Sequence, residues 1–265
     1  MGLDNRTWLN RAGFSPVQKR LDDLRGIGRN HFMLRVGGVT LGYCYLRKNA
    51  CSSFKQMFLD LSPAADRRDP NVRPIDFMRA HHRMSEADLS RCDHMVIVYR
   101  DPVQRFMSMF RNKFIAMKGA TDILDNFTHL ERQVPDSASF RQVVTRYLQH
   151  DFARLDRHLQ PQAIHLRRAI YTDVVAIGEL HTRMAAILGV SIADRYFKRP
   201  VNRSSDIALR PVHGAADLQV SALRRLYHDE GCSPDDDSFL TDDLRAALHD
   251  RYVADYQMIA RIEAG

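Results

Sequence analysis

The chain has 265 residues, of which 39 are Lys or Arg and 32 are Asp or Glu, so its formal net charge is +7. Hydrophobic residues make up 45% of it and charged residues 27%, which excludes a disordered or fibrous chain and is typical of a soluble globular protein. No apolar stretch approaches the roughly 20 residues that span a bilayer, and the N-terminus lacks the apolar core of a secretory signal. We therefore expect a cytoplasmic protein with no transmembrane segment, for which only peripheral contact with a membrane stays open.

The apolar pattern predicts that strands and helices alternate in the first half and that helices dominate the second half. The predicted strands are His31–Val36 and Val39–Leu46, joined as a hairpin at Gly37–Gly38, then Met95–Tyr99 and Val174–Ile177. The predicted helices are Ser52–Leu61, Ser85–Arg91, Val103–Met117, Ser139–Leu159, Ile177–Leu188, Ala216–Asp229 and Thr241–Ile262. Loops are predicted over Asn202–Arg210 and Cys232–Asp237.

This order of elements favours an α/β fold, a three-layer domain with a central parallel sheet and a helix-rich C-terminal half. We expect a single domain over residues 1–265, with a motif-bearing core at about 30–190 and a helical extension at about 191–265. The basic residues are interleaved with acidic ones and form no continuous stripe, so we expect no nucleic acid as partner. The cysteine and histidine spacings match no metal motif.

The segment Arg47–Ser53 has the composition of an anion-binding turn. It follows the second predicted strand and opens a helix with two hydroxyl side chains, Ser52 and Ser53. Backbone N–H groups and the helix dipole favour an anion at a helix start, and Lys48 adds a full positive charge. An ordinary serine-capped helix explains this segment alone equally well. The spacing of a Walker A loop is absent, which disfavours a P-loop kinase.

A second predicted anion site follows the strand Met95–Tyr99. Arg100 stands at the carboxyl end of this strand, where ligands of open α/β sheets bind. Ser108 lies about one and a half turns into the next helix, so it can face the same side as Arg100. A local ion pair of Arg100 with Asp101 is the plainer interpretation. Two such sites in one domain indicate a ligand with phosphate-like groups at both ends.

Together these two segments resemble the signature pair of carbohydrate sulfotransferases that use 3′-phosphoadenosine 5′-phosphosulfate (PAPS). The group with chondroitin, dermatan, HNK-1 and heparan 2-O-sulfotransferases, whose domain is P-loop-like, is the most similar. Weaker similarities at Arg157–Gln162, Tyr171–Glu179 and Tyr252–Tyr256 extend the resemblance over roughly 40–258. It implies that the first segment binds the 5′-phosphosulfate and the second the 3′-phosphate. The implied cofactor-binding residues are Arg47, Lys48, Asn49, Ala50, Cys51, Ser52, Ser53, Arg100 and Ser108.

The resemblance also implies a reaction, in which a saccharide or glycoconjugate takes up the sulfuryl group and adenosine 3′,5′-bisphosphate is released. Lys48 suits the stabilisation of charge on the departing phosphate, and no metal is expected because fixed cations can fill that role. His81 and His82 lie about 18 residues before Arg100, where heparan-type relatives have a catalytic histidine. We prefer His82 as the base, with His81 second and a Glu or another His still open.

Some residues depart from the pattern of the family. Arg47 stands where relatives often have Pro, and Leu159 where they often have Trp. Golgi relatives have a membrane anchor and disulfides, so their absence here favours a cytosolic enzyme of bacterial type. The alternative is a non-catalytic nucleotide- or nucleic-acid-binding protein that uses its basic surface. Arg105, Arg111 and Lys113 can reach the cofactor or an anionic acceptor, but on a helix we expect them to face solvent. Residues 199–205 form a polar loop that can close over the nucleotide, and a plain surface loop explains them equally well.

Overall fold

The computed structural model describes residues 30–67, 69–119, 121–166, 171–198 and 207–264. Its strands, in chain order, are β1 (His31–Val36), β2 (Val39–Cys44), β3 (His94–Tyr99), β4 (Asp173–Ala176), β5 (Ala208–Arg210) and β6 (Cys232–Pro234). Its α-helices are α1 (Cys51–Leu61), α2 (Pro74–His81), α3 (Pro102–Phe110), α4 (Asp122–Glu131), α5 (Phe140–Thr145), α6 (Leu180–Leu188), α7 (Val190–Tyr196), α8 (Val220–Asp229), α9 (Asp236–Phe239), α10 (Asp242–Arg251) and α11 (Val253–Glu263). Short 3-10 helices occupy Ala65–Arg67, Glu86–Arg91, Pro135–Ser137, Tyr147–Gln149, Ala163–His165 and Ile177–Glu179, and a π-helical turn, Arg111–Ile115, follows α3. The predicted α/β class is confirmed.

Two compact units make up the described chain, and each contains two separate stretches of sequence. The sheet unit contains the described residues between 30 and 100 and between 162 and 198. The helical unit contains those between 101 and 161 and between 207 and 264. The expected organisation as a single domain with a C-terminal extension stays a prediction.

The sheet unit is built on four strands in the order β1-β2-β3-β4. β1 and β2 form the predicted antiparallel hairpin, and the φ angles of Gly37 (56°) and Gly38 (91°) are left-handed, as a two-residue turn of type I′ requires. β2, β3 and β4 run parallel, with Cys44 at the end of β2 paired with Ile97 of β3. The central parallel sheet is confirmed. The carboxyl ends of β2 and β3 therefore lie at the same edge of the sheet.

Alternate residues of the strands point to opposite faces of this sheet, and both faces are buried. On one face, Tyr43 of β2 and Val98 of β3 belong to the same apolar cluster as Phe54 of α1. The rings of Tyr43 and Phe54 stack with their centroids 3.8 Å apart, and such a pair adds about 0.5–1.5 kcal/mol to burial alone. On the other face, Cys44 and Ile97 belong to a smaller cluster. Strand β2, which leads into the first predicted anion site, is thus anchored on both faces.

The core of the helical unit is rich in phenylalanine. Phe106, Phe110 and Phe114 recur at four-residue spacing along α3 and the π-helical turn, and all three are buried. The ring of Phe110 lies 4.9 Å from that of Phe140 and 5.7 Å from that of Phe239, measured between centroids. Residues at this spacing share one side of a helix, and here that side faces the core.

Two long helices predicted for the second half are wrong, because the backbone leaves the helical region inside each of them. Within 139–159 the helix ends at Arg146, which has φ −122° and ψ −69°. Farther along, Asp156 accepts a hydrogen bond from the backbone N–H of His158, a local pairing that competes with a helix. Tyr252, with φ −107° and ψ 23°, separates α10 from α11.

Part of the predicted loop structure is also wrong. Cys232–Asp237 contains β6, which pairs in parallel with β5 and leads into α9. The same pairing makes Ala208–Arg210 a strand, although it was expected within the loop Asn202–Arg210. Residues 202–206 of that loop lie outside the described residues. Both strands have only three residues, too few for an alternating pattern to reveal them.

Candidate functional site

The turn between β2 and α1 is left-handed at two residues that are not glycine. Lys48 has φ 69° and Ala50 has φ 55°, whereas Asn49 between them does not have a positive φ. A left-handed residue with a Cβ costs on the order of 1–2 kcal/mol, and such strain gathers at ligand sites. A backbone that alternates in hand points its N–H groups into one concavity, where they can bind an anion. The turn therefore has a geometry suited to the predicted anion.

Helix α1 begins at Cys51, directly after this turn. Ala50 is its N-cap residue, and the Ala50 carbonyl accepts hydrogen bonds from the N–H groups of Ser53 (3.0 Å) and Phe54 (3.4 Å). The first N–H groups of a helix have no acceptor inside it, and the helix dipole gives this end a partial positive charge. The first turn contains no acidic residue. Ser53 is buried and Ser52 half-buried, so Ser52 is the more accessible of the two predicted hydroxyl donors.

The side chain of Asn49 is fully buried and binds the protein. Its Nδ2 donates to the backbone oxygen of Val98 at 2.8 Å and to Oε1 of Gln162 at 2.5 Å. Although Asn49 is among the predicted cofactor contacts, the structure directs its side chain toward the end of β3. The geometry therefore does not favour a direct contact between this side chain and a cofactor.

The side chain of Gln162 hydrogen-bonds to both the backbone N–H and the backbone carbonyl of Arg100. Its Oε1 accepts from the Arg100 N–H at 3.1 Å, and its Nε2 donates to the Arg100 carbonyl at 2.8 Å. Gln162 has no exposed surface. The sheet unit thus brings the Lys48–Ala50 turn and Arg100 to the same sheet edge and connects them through two buried amides. Sequence reasoning did not single out Gln162, and its place after Pro161 in a segment similar to the family was the only available signal.

Arg47 lies over the ring of Tyr45. The guanidinium carbon is 5.5 Å from the ring centroid, a cation–π distance. Tyr45 is buried, and this burial, together with the neighbouring Cys51 thiol, raises the pKa of Tyr45 well above its ordinary value. Its phenol is neutral at physiological pH. The ring therefore orients Arg47 next to the turn without neutralising its charge.

Both ring nitrogens of His82, the preferred base, bind protein atoms. Nδ1 lies 3.0 Å from the backbone oxygen of Met33 and is the donor there, because a carbonyl only accepts. In the neutral ring, Nε2 therefore accepts from the Ser62 hydroxyl, whose Oγ is 2.8 Å away. Burial lowers the pKa of His82. His81 is exposed beside the ring of Phe77, so these contacts favour His81 over His82 as a base.

Ser108 belongs to the helical unit, where it lies on α3. Gln104 and Ser108 are the residues of α3 that are not buried, and they are one turn apart. They therefore form the part of the helix that the core does not cover. The predicted binding of one phosphate by Ser108 and Arg100 stays a prediction.

The sequence matches the family described as the sulfotransferase family over residues 37–258. The chain belongs to that family. The matched range contains both predicted anion-binding segments and Gln162. No curated protein and no solved structure matches the chain. Sulfuryl transfer is thus the chemistry of this protein's family, and the carbohydrate group within it stays a prediction.

The basic residues of α3 and the π-helical turn of this sulfotransferase bind the protein itself. Arg105 is buried, with 1% exposure. Arg111 donates to the backbone oxygen of Pro234, and Lys113 donates to that of Lys118, each at 2.8 Å. The expectation that these three side chains face solvent is wrong, since each is held within the helical unit. The polar loop at 199–205 begins beyond residue 198 and lies outside the described residues.

The described residues of the sulfotransferase contain neither a candidate metal site nor a membrane-spanning helix. Within the described ranges, no three His, Cys, Asp or Glu side chains are grouped so that they could hold a metal ion. In the same part of the chain, no helix has the length and apolar character needed to cross a membrane. The cytoplasmic location stays a prediction.

Proposed function

We propose that this sulfotransferase moves a sulfuryl group from PAPS to a hydroxyl of a saccharide or glycoconjugate and releases adenosine 3′,5′-bisphosphate. The observation that carries the proposal is the left-handed turn at Lys48 and Ala50 before helix α1. Its backbone N–H groups and the start of the helix form a cradle for the phosphosulfate. The saccharide acceptor rests on the resemblance of the two segments to carbohydrate sulfotransferases.

The proposed reaction is an in-line displacement at sulfur. The acceptor oxygen forms a bond to sulfur, while the bond from sulfur to the bridging oxygen of the 5′-phosphate breaks. Negative charge develops on the departing phosphate, where the N–H groups of the cradle and the Lys48 ammonium stabilise it. The acceptor hydroxyl gives its proton to a base. The protein contributes mainly positioning and fixed positive charge, as in phosphoryl transfer.

We assign the base to one of the two neighbouring histidines. The exposed ring of His81 can take up a proton without breaking a buried contact. A proton on Nε2 of His82 ends its role as acceptor, so the Ser62 hydroxyl must turn to accept from Nε2 instead of donating to it. Variants of the two residues therefore decide between them.

The 3′-phosphate is assigned to Arg100 and Ser108, as the family resemblance implies. The double hydrogen bond from Gln162 fixes the Arg100 peptide at the carboxyl end of β3, which supports this role for Arg100. Charge-assisted contacts to a phosphate are the stronger class of hydrogen bond in proteins. A nucleotide without the 3′-phosphate should therefore bind much less tightly.

Calorimetric titration tests the proposal with adenosine 3′,5′-bisphosphate, ATP and duplex DNA as ligands. Tighter binding of the bisphosphate than of ATP supports a PAPS site. Equal affinities, or tighter binding of DNA, would support the alternative of a non-catalytic nucleotide- or nucleic-acid-binding protein. A transfer assay with labelled PAPS and a panel of glycans and small alcohols then identifies the acceptor class.

A further inference from the structure

We propose that Gln162 is a positioning residue that sets how the Lys48–Ala50 turn and Arg100, at the end of β3, lie relative to each other in the donor site. With Asn49 it forms what we term the amide clamp, defined by these two side chains. The inference rests on the proposed function, because the clamp is proposed to position residues that bind PAPS. It adds a residue that contacts neither the phosphosulfate nor the acceptor.

The side chain of Gln162 hydrogen-bonds to the backbone just after β3, as a neighbouring strand would. β3 ends at Tyr99, and one residue later Gln162 pairs with both the N–H and the C=O of Arg100. A polar backbone group that is removed from water needs such a partner. Because both bonds go to one peptide residue, they fix the direction in which the chain leaves the sheet.

The same side chain also holds the phosphosulfate cradle. Oε1 of Gln162 accepts from Nδ2 of Asn49 as well as from the N–H of Arg100, so one oxygen receives a donor from each anion-binding segment. A carbonyl oxygen has two lone pairs, and both are then used. Asn49 also donates to the oxygen of Val98, which ties the cradle to β3 a second time.

Burial makes this arrangement rigid. Asn49 and Gln162 are both 0% exposed, and hydrogen bonds are stronger, and costlier to leave unmade, where water is excluded. A hydrophobic residue of similar size could fill the same volume. The polar pair is therefore needed for the relative placement of two segments rather than for packing alone.

The test compares affinities for adenosine 3′,5′-bisphosphate and adenosine 5′-monophosphate, measured by calorimetry in the full chain. Gln162→Met keeps the size of the side chain and removes the hydrogen bonds of Gln162 to Asn49 and Arg100, while the bond from Asn49 to Val98 remains. We expect it to reduce the preference for the bisphosphate by about tenfold or more. The matched control is Gln160→Met, because Gln160 is half-buried and its Nε2 donates to the backbone oxygen of Phe152, outside the clamp. We expect the control to change the preference by less than about twofold.

A second variant keeps the proposal testable if Gln162→Met does not fold. Gln162→Glu preserves both acceptor roles but, when ionised, has no donor for the Arg100 carbonyl. Protonation of the carboxylate restores that donor. The preference of Gln162→Glu for the bisphosphate should therefore recover as the pH falls from about 8 to about 5, approaching the preference of wild type measured at the same pH. A packing role alone would not produce this recovery.

The possible outcomes separate this inference from the proposed function. If wild type prefers the bisphosphate and both Gln162 variants keep that preference unchanged at every pH, the positioning role is wrong while the PAPS site stands. If wild type itself shows no preference, the proposed function fails and the clamp's purpose fails with it. A lost preference in Gln162→Met, or a pH-dependent recovery in Gln162→Glu, supports the positioning role.

Discussion

Nδ2 of Asn49 lies 2.8 Å from the backbone oxygen of Val98, so the left-handed turn before α1 is hydrogen-bonded directly to the neighbouring strand. Asn49 stands between Lys48 and Ala50, the two strained residues. Strained backbone persists only where its surroundings hold it in place. The buried contact of Asn49 with β3 provides this restraint, which explains how the turn keeps a conformation that is unfavourable on its own.

Substitution of Ala50 tests the geometry of the turn. Ala50→Gly removes the Cβ that makes φ 55° unfavourable, so it should leave the free energy of unfolding unchanged or raise it by up to about 1 kcal/mol. Ala50→Val should lower that free energy by about 2 kcal/mol or more, because β-branched residues hardly adopt this region. The measurement is urea unfolding.

Ala185, inside helix α6, is the matched control for this pair. Ala185→Gly should lower the free energy of unfolding by about 1 kcal/mol, the usual cost of glycine within a helix. If Ala50→Gly costs as much as Ala185→Gly, Ala50 is not left-handed in solution.

Replacement of Arg100 tests the assignment of the 3′-phosphate. Arg100→Ala should weaken binding of adenosine 3′,5′-bisphosphate at least about tenfold, since a charge-assisted contact is lost. Affinity for adenosine 5′-monophosphate should change little. Arg73→Ala is a suitable control, because Arg73 is largely exposed and pairs with the nearby Asp76. If calorimetry shows that Arg100→Ala binds both nucleotides more weakly by the same factor, Arg100 does not bind the 3′-phosphate.

Replacement of Lys48 and replacement of the two histidines should affect sulfuryl transfer and nucleotide affinity differently. Lys48→Ala removes a cation from the cradle, so both single-turnover transfer and nucleotide affinity should fall. Loss of the general base should lower turnover by about 10²–10⁴-fold with nucleotide affinity intact. The structure leads us to expect this result for His81→Ala rather than for His82→Ala. Wild-type turnover in both histidine variants would place the base elsewhere in the chain.

The buried His82 should make stability depend on pH. Burial lowers its pKa in the folded protein, so the unfolded chain takes up this proton first as the pH falls. The free energy of unfolding should therefore decrease as the pH drops below about 6.5. His82→Gln should show a weaker decrease between pH values of about 7.5 and 5.5. If urea unfolding gives the same pH dependence for both proteins, His82 is not held neutral by the fold.

Local patterns explain why much of the sheet unit could be predicted from the sequence. The Gly37–Gly38 hairpin, the apolar strand β3 and helix α1 each depend on residues close together in the chain. The amide clamp does not, because Asn49 and Gln162 are 113 positions apart and each looks like an ordinary polar residue in a loop. The role of His82 was equally hidden, since its partner Met33 is 49 positions away. Only the fold brings these groups together.

Transfer of labelled sulfuryl groups from PAPS is the most direct test of the proposed function. The assay uses wild type and Lys48→Ala with a panel of glycans, and it follows both the sulfated product and adenosine 3′,5′-bisphosphate. We predict that wild type forms the two products in equal amounts with at least one glycan, and that Lys48→Ala is strongly impaired. If wild type transfers nothing to any acceptor and binds the bisphosphate no more tightly than ATP, the assignment of PAPS as donor is contradicted.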